Sequence, residues 1–444
     1  MDTRWISLTL FTFLINISYA QKLISTIKLR GNAVKDMQAF AMGDSLFVSF
    51  LDSYPSFHTL LVLPDGSQKV LPVPELYGKI LLSAKKAGDS VQFSYLEDKG
   101  KTVVLKITAV HGITGKRHTR SEFLTLPDNL IGSFFQKYLY LFRLQREDYS
   151  LRVSKLDGTM VIDENVYKVG KNVYEKLTSD VAFITNFSHI TPSQAESRTK
   201  VYVFEKEIAI CIDNVFESNT TLTRIDRISG DISTTVIPEY TNTSFRSALC
   251  NDLLYRIWRK KGISMAIYDG ARVVDSISIN KATSFSSKKS FMRNDASNLV
   301  LDNRTVWDAI SNVGSVFISP VPIDSGSTFI QIGTHKAISK GTPILFGGIP
   351  SVMVASIFLR TLTNSIVKDA GIDHYFYLSR NAGKEFTYTD SPTTVQQSID
   401  KYELFDFGNP RNYSFKGYLT GVDRVFGFYI VKKSDVGELL IVKF

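Results

Sequence analysis

The 444-residue chain is predicted to be all-β. Three observations predict it. Aromatic residues make up 12 %, with 30 Phe, 20 Tyr and 3 Trp, and aromatic and β-branched residues favour strands. Segments of five to nine residues rich in Val, Ile, Phe, Tyr, Leu and Thr recur between Gly, Asp, Asn, Ser and Lys. Turn glycines recur at Gly66, Gly115, Gly158, Gly230, Gly270, Gly326, Gly383 and Gly437. Apart from the interval between Gly158 and Gly230, they lie about 40 to 57 residues apart, which suits a unit of three or four strands.

In chain order, Met1–Ala20 reads as a secretory signal peptide. Arg4, partly offset by Asp2, precedes the apolar run Trp5–Ile17, and Ser18 and Ala20 supply small residues for a cut after Ala20. The run is shorter than the roughly 20 residues that span a bilayer. The mature chain is therefore expected to be one domain over residues 21–444, extracytoplasmic, in the periplasm or secreted. No transmembrane segment is expected in it. Pro343–Leu362, the other long apolar stretch, is broken by Gly347, Gly348, Pro350 and Arg360 and reads as buried strands.

The clearest strands are Ser45–Leu51, Thr59–Leu63, Val91–Leu96, Thr102–Val110, Tyr138–Leu144, Lys200–Ile212, Leu253–Trp258, Val316–Val321, Thr328–Ile332, Tyr375–Leu378, Phe386–Tyr388, Val425–Val431 and Leu439–Phe444. No long amphipathic helix competes with them. Asp-Gly turns join several pairs, as in Leu60–Val70, Leu151–Val161 and Ile263–Val273, because a tight hairpin needs positive φ and Gly takes it without steric cost. A small sheet cannot bury both faces alone, whereas a ring of sheets can, and it also hides most sheet edges. The predicted architecture is a β-propeller, with seven blades preferred and six to eight allowed. Its last unit runs one strand short, so the N-terminal strand Leu23–Leu29 is expected to complete it and close the ring. The rival architecture is two packed β domains divided near Lys281–Asn294. The irregular stretch from Ala282 to Leu362 leaves room for one glycine to mark an internal turn.

Two turns are more specific. Ser379-Arg-Asn-Ala-Gly-Lys-Glu-Phe386 and Pro322-Ile-Asp-Ser-Gly-Ser-Thr-Phe329 both resemble the Asp-box, or BNR, turn of sialidase-type propellers. Ser379, Asn381, Gly383 and Phe386 align with its Ser-x-Asp-x-Gly-x-Thr-Trp pattern in the first, and Asp324, Gly326, Thr328 and Phe329 in the second. Asn replaces Asp at Asn381, and Phe replaces Trp in both. The copies are 57 residues apart, about one blade. The resemblance covers about 16 residues and implies fold, not activity. In that family the turn is structural, and these eight residues are assigned that role.

Catalytic patterns are scarce. There is no G-x-S-x-G elbow, H-E-x-x-H, P-loop or dinucleotide fingerprint. The six histidines His58, His111, His118, His189, His335 and His374 include no i, i+4 pair, and no metal or cofactor is expected. Tyr255-Arg-Ile-Trp258 is read as a strand rather than a sialidase Arg-Ile-Pro segment. Cys211 and Cys250 remain open as a bridge or two buried thiols. The net charge of +9 is spread along the chain without a nucleic-acid type basic run. Loop aromatics that could contact a ligand are Tyr54, Phe57, Tyr149, Phe187, Tyr240, Tyr402 and Tyr413. The expected function is a non-catalytic ligand-binding or protein-interaction module, with carbohydrate, another anionic polymer or an envelope protein as partner and no nucleic acid. The alternative is a glycoside hydrolase or lyase on the same fold.

Overall fold

The computed structural model describes the chain between Lys22 and Lys443, apart from short breaks and the longer stretches 112–116, 186–194, 239–244, 280–289, 302–314, 338–366 and 390–412. Met1–Ala20, read above as a signal peptide, and Pro343–Leu362 fall outside the described residues.

Nearly all of what is described is strand, and among the described residues the strands make seven small sheets that are almost wholly antiparallel. Sheet 1 holds Val34–Met42, Ser45–Asp52, Phe57–Val62 and Gln68–Val70. Sheet 2 holds Ile80–Ala87, Ser90–Asp98, Val103–His111 and Phe123–Leu126, with Arg117–His118 also on its third strand. Sheet 3 holds Leu130–Phe135, Leu139–Gln145, Ser150–Asp157 and Met160–Lys168. The helix Lys171–Ser179 leads from it to sheet 4, where Ala182–Thr185 runs parallel to Thr199–Val203, followed by Glu207–Asn214, Asn219–Asp226 and Ile232–Pro238. Sheet 5 holds Phe245–Cys250, Leu253–Arg259, Ile263–Asp269 and Arg272–Ile279. Sheet 6 is built on Ser315–Pro322, Thr328–Ala337 and Gly371–Arg380. Phe386–Thr389 pairs with one end of the last strand and Ser290–Asn294 with the other, the latter also carrying Ser297–Leu301. Sheet 7 holds Val367–Lys368, Tyr413–Thr420, Val425–Lys433, Val436–Lys443 and the N-terminal strand Lys22–Lys28.

In sheets 1, 3, 4 and 5 the last strand is the most exposed. Every residue of Thr199–Val203 and Phe245–Cys250 is buried, while Met160–Lys168 is mostly exposed. A strand buried on both faces reads as a continuous apolar run, and an outer strand does not need to. Faces of different sheets then pack on one another. One apolar cluster joins sheets 1 and 2, another sheets 3 and 4 with Val173 and Leu177 of the helix, a third sheets 4 and 5, and a fourth sheets 5 and 6. Sheet 7 packs on sheet 1 through Ile27, Phe428, Ile430 and Ile441 against Val48, Phe50 and Val62. The far face of sheet 6 carries Phe317, Phe329, Tyr375 and Tyr377, which cluster with Ala195 and Phe183 from the entry to sheet 4.

The N-terminal strand ties two sheets. It pairs antiparallel with Val436–Lys443, and the Ser25 hydroxyl donates to Gly66 O while Gln68 Nε2 donates to Thr26 O at 2.8 Å. Gly66 is required at that approach: its φ is +88° and a Cβ there would lie 2.1 Å from Ile24 O.

Three expectations are corrected. Gly437 does not end a turn; it lies inside Val436–Lys443, where its N–H donates to Gly31 O and its carbonyl accepts from Leu29. Val436 already pairs with Lys433 on the preceding strand. Lys200–Ile212 is not one strand: charged Glu205 and Lys206 take the bend between Thr199–Val203 and Glu207–Asn214. The two Asp-box-like turns do not mark successive units. They flank the hairpins Ser315–Pro322/Thr328–Ala337 and Gly371–Arg380/Phe386–Thr389 of sheet 6, whose second and third strands pair with each other. Their 57-residue spacing takes in Thr328–Ala337, Gly371–Arg380 and residues 338–370 between these two paired strands, so it is not a repeat.

Candidate functional site

The described residues hold one place where a concave surface, aromatic rings and a fixed titratable pair coincide. It lies on sheet 1, where the second strand turns into the third and the chain leaves for sheet 2. Leu71 N–H donates to Thr59 O at 2.9 Å, which holds the departing chain beside the third strand, and the Thr59 hydroxyl donates back to Leu71 O. Pro72 and Pro74 restrict φ, and Pro74–Leu76 form one 3-10 turn that sets Tyr77 above the strand. The result is a half-open groove of about 480 Å³ lined by Phe57, His58, Val70, Pro72, Pro74 and Tyr77, among others. Phe57 and Tyr77 meet edge to face, with ring centroids 5.7 Å apart.

His58 is held from two sides. In the hairpin register it lies opposite Phe50, and the two rings stack at 4.8 Å. Its Nε2 lies 3.0 Å from Asp52 Oδ2, and the Ser56 N–H donates to the other carboxylate oxygen at 3.1 Å. An ionised carboxylate only accepts, so Nε2 carries the proton and Nδ1 is left as an acceptor in the neutral ring. The Asp52 side chain is fully buried, while that of His58 is 29 % exposed into the groove. This gives a ligand two ring faces and one oriented imidazole. The neighbouring Thr59 hydroxyl is committed to Leu71 O.

A second polar cluster sits between sheets 4 and 5 and is closed to solvent. Lys200 Nζ donates to the carbonyls of Ser197 and Ser247. Asp213 accepts from the Ser247 N–H at 2.8 Å and from the Thr220 hydroxyl at 3.0 Å. Arg256, also buried, stacks on Phe245 and donates to the carbonyls of Ile237 and Pro238. Burial pushes the Tyr202 phenol and the Cys211 thiol upward, so both stay neutral. Cys211 and Cys250 are buried and form no disulfide. They fall in different apolar clusters, one between sheets 4 and 5 and the other between sheets 5 and 6.

Of the residues singled out in the sequence, Asp324, Gly326 and Gly383 lie outside the described residues. Thr328 is buried and accepts from the Tyr255 hydroxyl at 3.0 Å. Phe329 packs on Tyr377 with centroids 5.2 Å apart, and Phe386 is half-buried against the cluster of sheets 5 and 6. Ser379 pairs with Phe329 and Thr387 in register, and Asn381 is exposed beyond it. None of these approaches the sheet-1 groove in sequence or in pairing. Among the loop aromatics, Phe57 lines that groove and Tyr149 lies against Tyr174. Tyr54, Phe187, Tyr240 and Tyr402 lie outside the described residues. The residues missed were Asp52, Tyr77 and the buried Lys200. A charged residue next to an otherwise apolar strand was the available signal for Lys200.

No protein-family model and no curated protein matches the chain. Among solved structures it is similar to the β-propeller domain of the Trilobed protease from Pyrococcus furiosus, at 9 % identity over 93 % of this chain and 95 % of that one, with a TM-score of 0.37. It is also similar to a subtype N10 neuraminidase-like protein of A/little yellow-shouldered bat/Guatemala/060/2010, at 10 % identity over 71 % and 95 % of the two chains and a TM-score of 0.31. With oligopeptidase B from Leishmania major the identity is 10 % and the TM-score 0.33, and the match covers 92 % of this chain but 54 % of that one.

Proposed function

We propose that the chain is a seven-bladed β-propeller, secreted or periplasmic after cleavage near Ala20, that binds carbohydrate as a non-catalytic module through the sheet-1 groove. The packing of sheet 1 on sheet 2, of sheets 3 to 6 in order and of sheet 7 on sheet 1 supports the ring, as does the pairing of the first strand with the last. In this reading Lys22–Lys28 closes the ring and the two turns of sheet 6 are structural.

The observation that carries the binding reading is the groove itself: Phe57 and Tyr77 present ring faces and edges beside an imidazole oriented by Asp52. Aromatic rings give apolar area to the C–H face of a sugar, and a fixed polar group reads its hydroxyls. The same Asp52–His58 pair favours a second reading, a carbohydrate-active enzyme, because an oriented histidine can move protons. A glycan-binding screen with a hydrolysis readout separates the two. Binding without turnover, weakened at least fivefold by the double variant F57A/Y77A, is expected. Turnover abolished by H58A would replace the module with the enzyme, and binding untouched by F57A/Y77A would remove the groove from the function.

A further inference from the structure

The aromatic pair of the sheet-1 groove has a counterpart two sheets away. In sheet 3 the second strand also turns into the third, through residues 146–149, and the chain leaves for the next sheet through the helix Lys171–Ser179. Tyr149, the last residue of that turn, meets Tyr174 of the helix edge to face at 5.5 Å and 70°. In sheet 1, Phe57 at the start of the third strand meets Tyr77 of the departing chain at 5.7 Å and 77°. Both pairs therefore join the same two topological positions at the same end of their sheets. The departing segments share no local structure, one being a single 3-10 turn and the other a nine-residue helix.

Tyr149 occupies its place against its backbone preference. Its φ is +53°, in the left-handed region that Gly and Asn take readily and a bulky ring does not. Sheet 4 has an equally long turn, 215–218, between Glu207–Asn214 and Asn219–Asp226, and its last residue has the same φ, but there it is the small Ser218. The turn thus demands the conformation and the ring is not needed to make it. Tyr149 also remains partly exposed, while Tyr174 is half-buried on the cluster of sheets 3 and 4.

The charges beside the pairs are mixed in sign rather than basic, with Arg146 and Glu147 adjoining and exposed in the turn that ends at Tyr149. Asp148 accepts from the Ser150 hydroxyl at 2.7 Å, Lys171 faces Glu175 at 3.8 Å, and Asp52 is taken up by His58. We infer that Tyr149 and Tyr174 form a second stacking site for a neutral polysaccharide, used together with the sheet-1 groove by one long chain. This rests on the carbohydrate reading of that groove. Two linked contacts raise the apparent affinity for a polymer far above that for a short piece, because the second contact is made at high effective concentration.

The test is affinity electrophoresis of the full chain through gels cast with laminarin, xylan or glucomannan, with heparin as the anionic comparison. Calorimetry with the trisaccharide of whichever polymer retards the protein provides the short ligand. Y149N and Y174A are each expected to weaken polymer binding about fivefold or more. Trisaccharide binding at the sheet-1 groove should stay within twofold of the parent under Y149N. Melting of Y149N should be unchanged or raised, because Asn accepts the turn's φ. Polymer binding unchanged in Y149N but lost in F57A would overturn the second site and keep the groove. A lowered melting temperature in Y149N would assign Tyr149 to packing and overturn the site as well. Retardation by heparin alone, or by none of the polymers, would overturn both the site and the reading beneath it.

Discussion

Sheet 1 and the junction of sheets 4 and 5 each bring a basic side chain into contact with a polar, carboxylate-bearing network, and they put it to different use. At the junction, Lys200 and Asp213 are both buried and are linked through Ser247, one through its carbonyl and the other through its N–H. Every direction around them is protein, so the network can only hold the sheets together. In sheet 1, Asp52 is as buried as Asp213, but His58 reaches past it into an open groove. What separates a fastening from a site here is not the residue types but whether one partner keeps a face to solvent. Sheet 3 stands between the two cases. Arg143 and Arg152 both meet Glu164, which also accepts from the Ser154 hydroxyl, and all three are partly exposed.

The largest effect should come from breaking the closed network. Lys200→Met leaves two buried carbonyls without their donor and Asp213 without the nearby cation. A loss of about 3–5 kcal/mol is expected in urea unfolding, with carbohydrate binding by the folded fraction unchanged. A loss below about 1 kcal/mol would break the comparison, because the network would then hold nothing together.

The intermediate case has a pH signature. Burial pushes the Glu164 carboxyl up, but the Ser154 hydroxyl and the two guanidiniums outweigh it and hold the group below the ordinary carboxylate value. A lowered pKa in the folded state gives stability that is present above the unfolded value and is lost as pH falls through the folded one. Glu164→Gln should therefore cost about 0.5–1 kcal/mol at neutral pH, the range of a solvent-screened pair. The difference should shrink in acid, below the ordinary glutamate range. A constant difference from neutral pH to acid would show that charge plays no part there.

The smallest effect on stability is expected at the groove. His58→Gln removes the ring but keeps an amide donor for the buried Asp52 carboxylate, and should change stability in urea unfolding by only a few tenths of a kcal/mol. Ligand binding should fall about tenfold, the reverse of the Lys200 pattern. A stability loss as large as that of Lys200→Met would make the Asp52–His58 pair a fastening as well.

Much of this fold was legible locally. Gly66, Gly230 and Gly270 sit at positive φ between the last two strands of sheets 1, 4 and 5, as their spacing predicts. Leu253–Arg259 is a strand with Arg256 inside it, as its alternation predicts. The site was less legible. Phe57 and His58 were visible as a loop aromatic and a histidine, but neither carries a sign of Tyr77, which is 20 residues away.

Strands and their hairpin turns follow from side-chain alternation and from which residues accept positive φ, so the sequence by itself determined them. Which strands share a sheet depends on pairings across long connections, as when the two Asp-box-like turns came together in sheet 6. Whether a polar contact is sealed or open depends on the next sheet and on the path of the chain leaving it. That is why Lys200 became a fastening and His58 faces a groove, a distinction decided only by the tertiary structure.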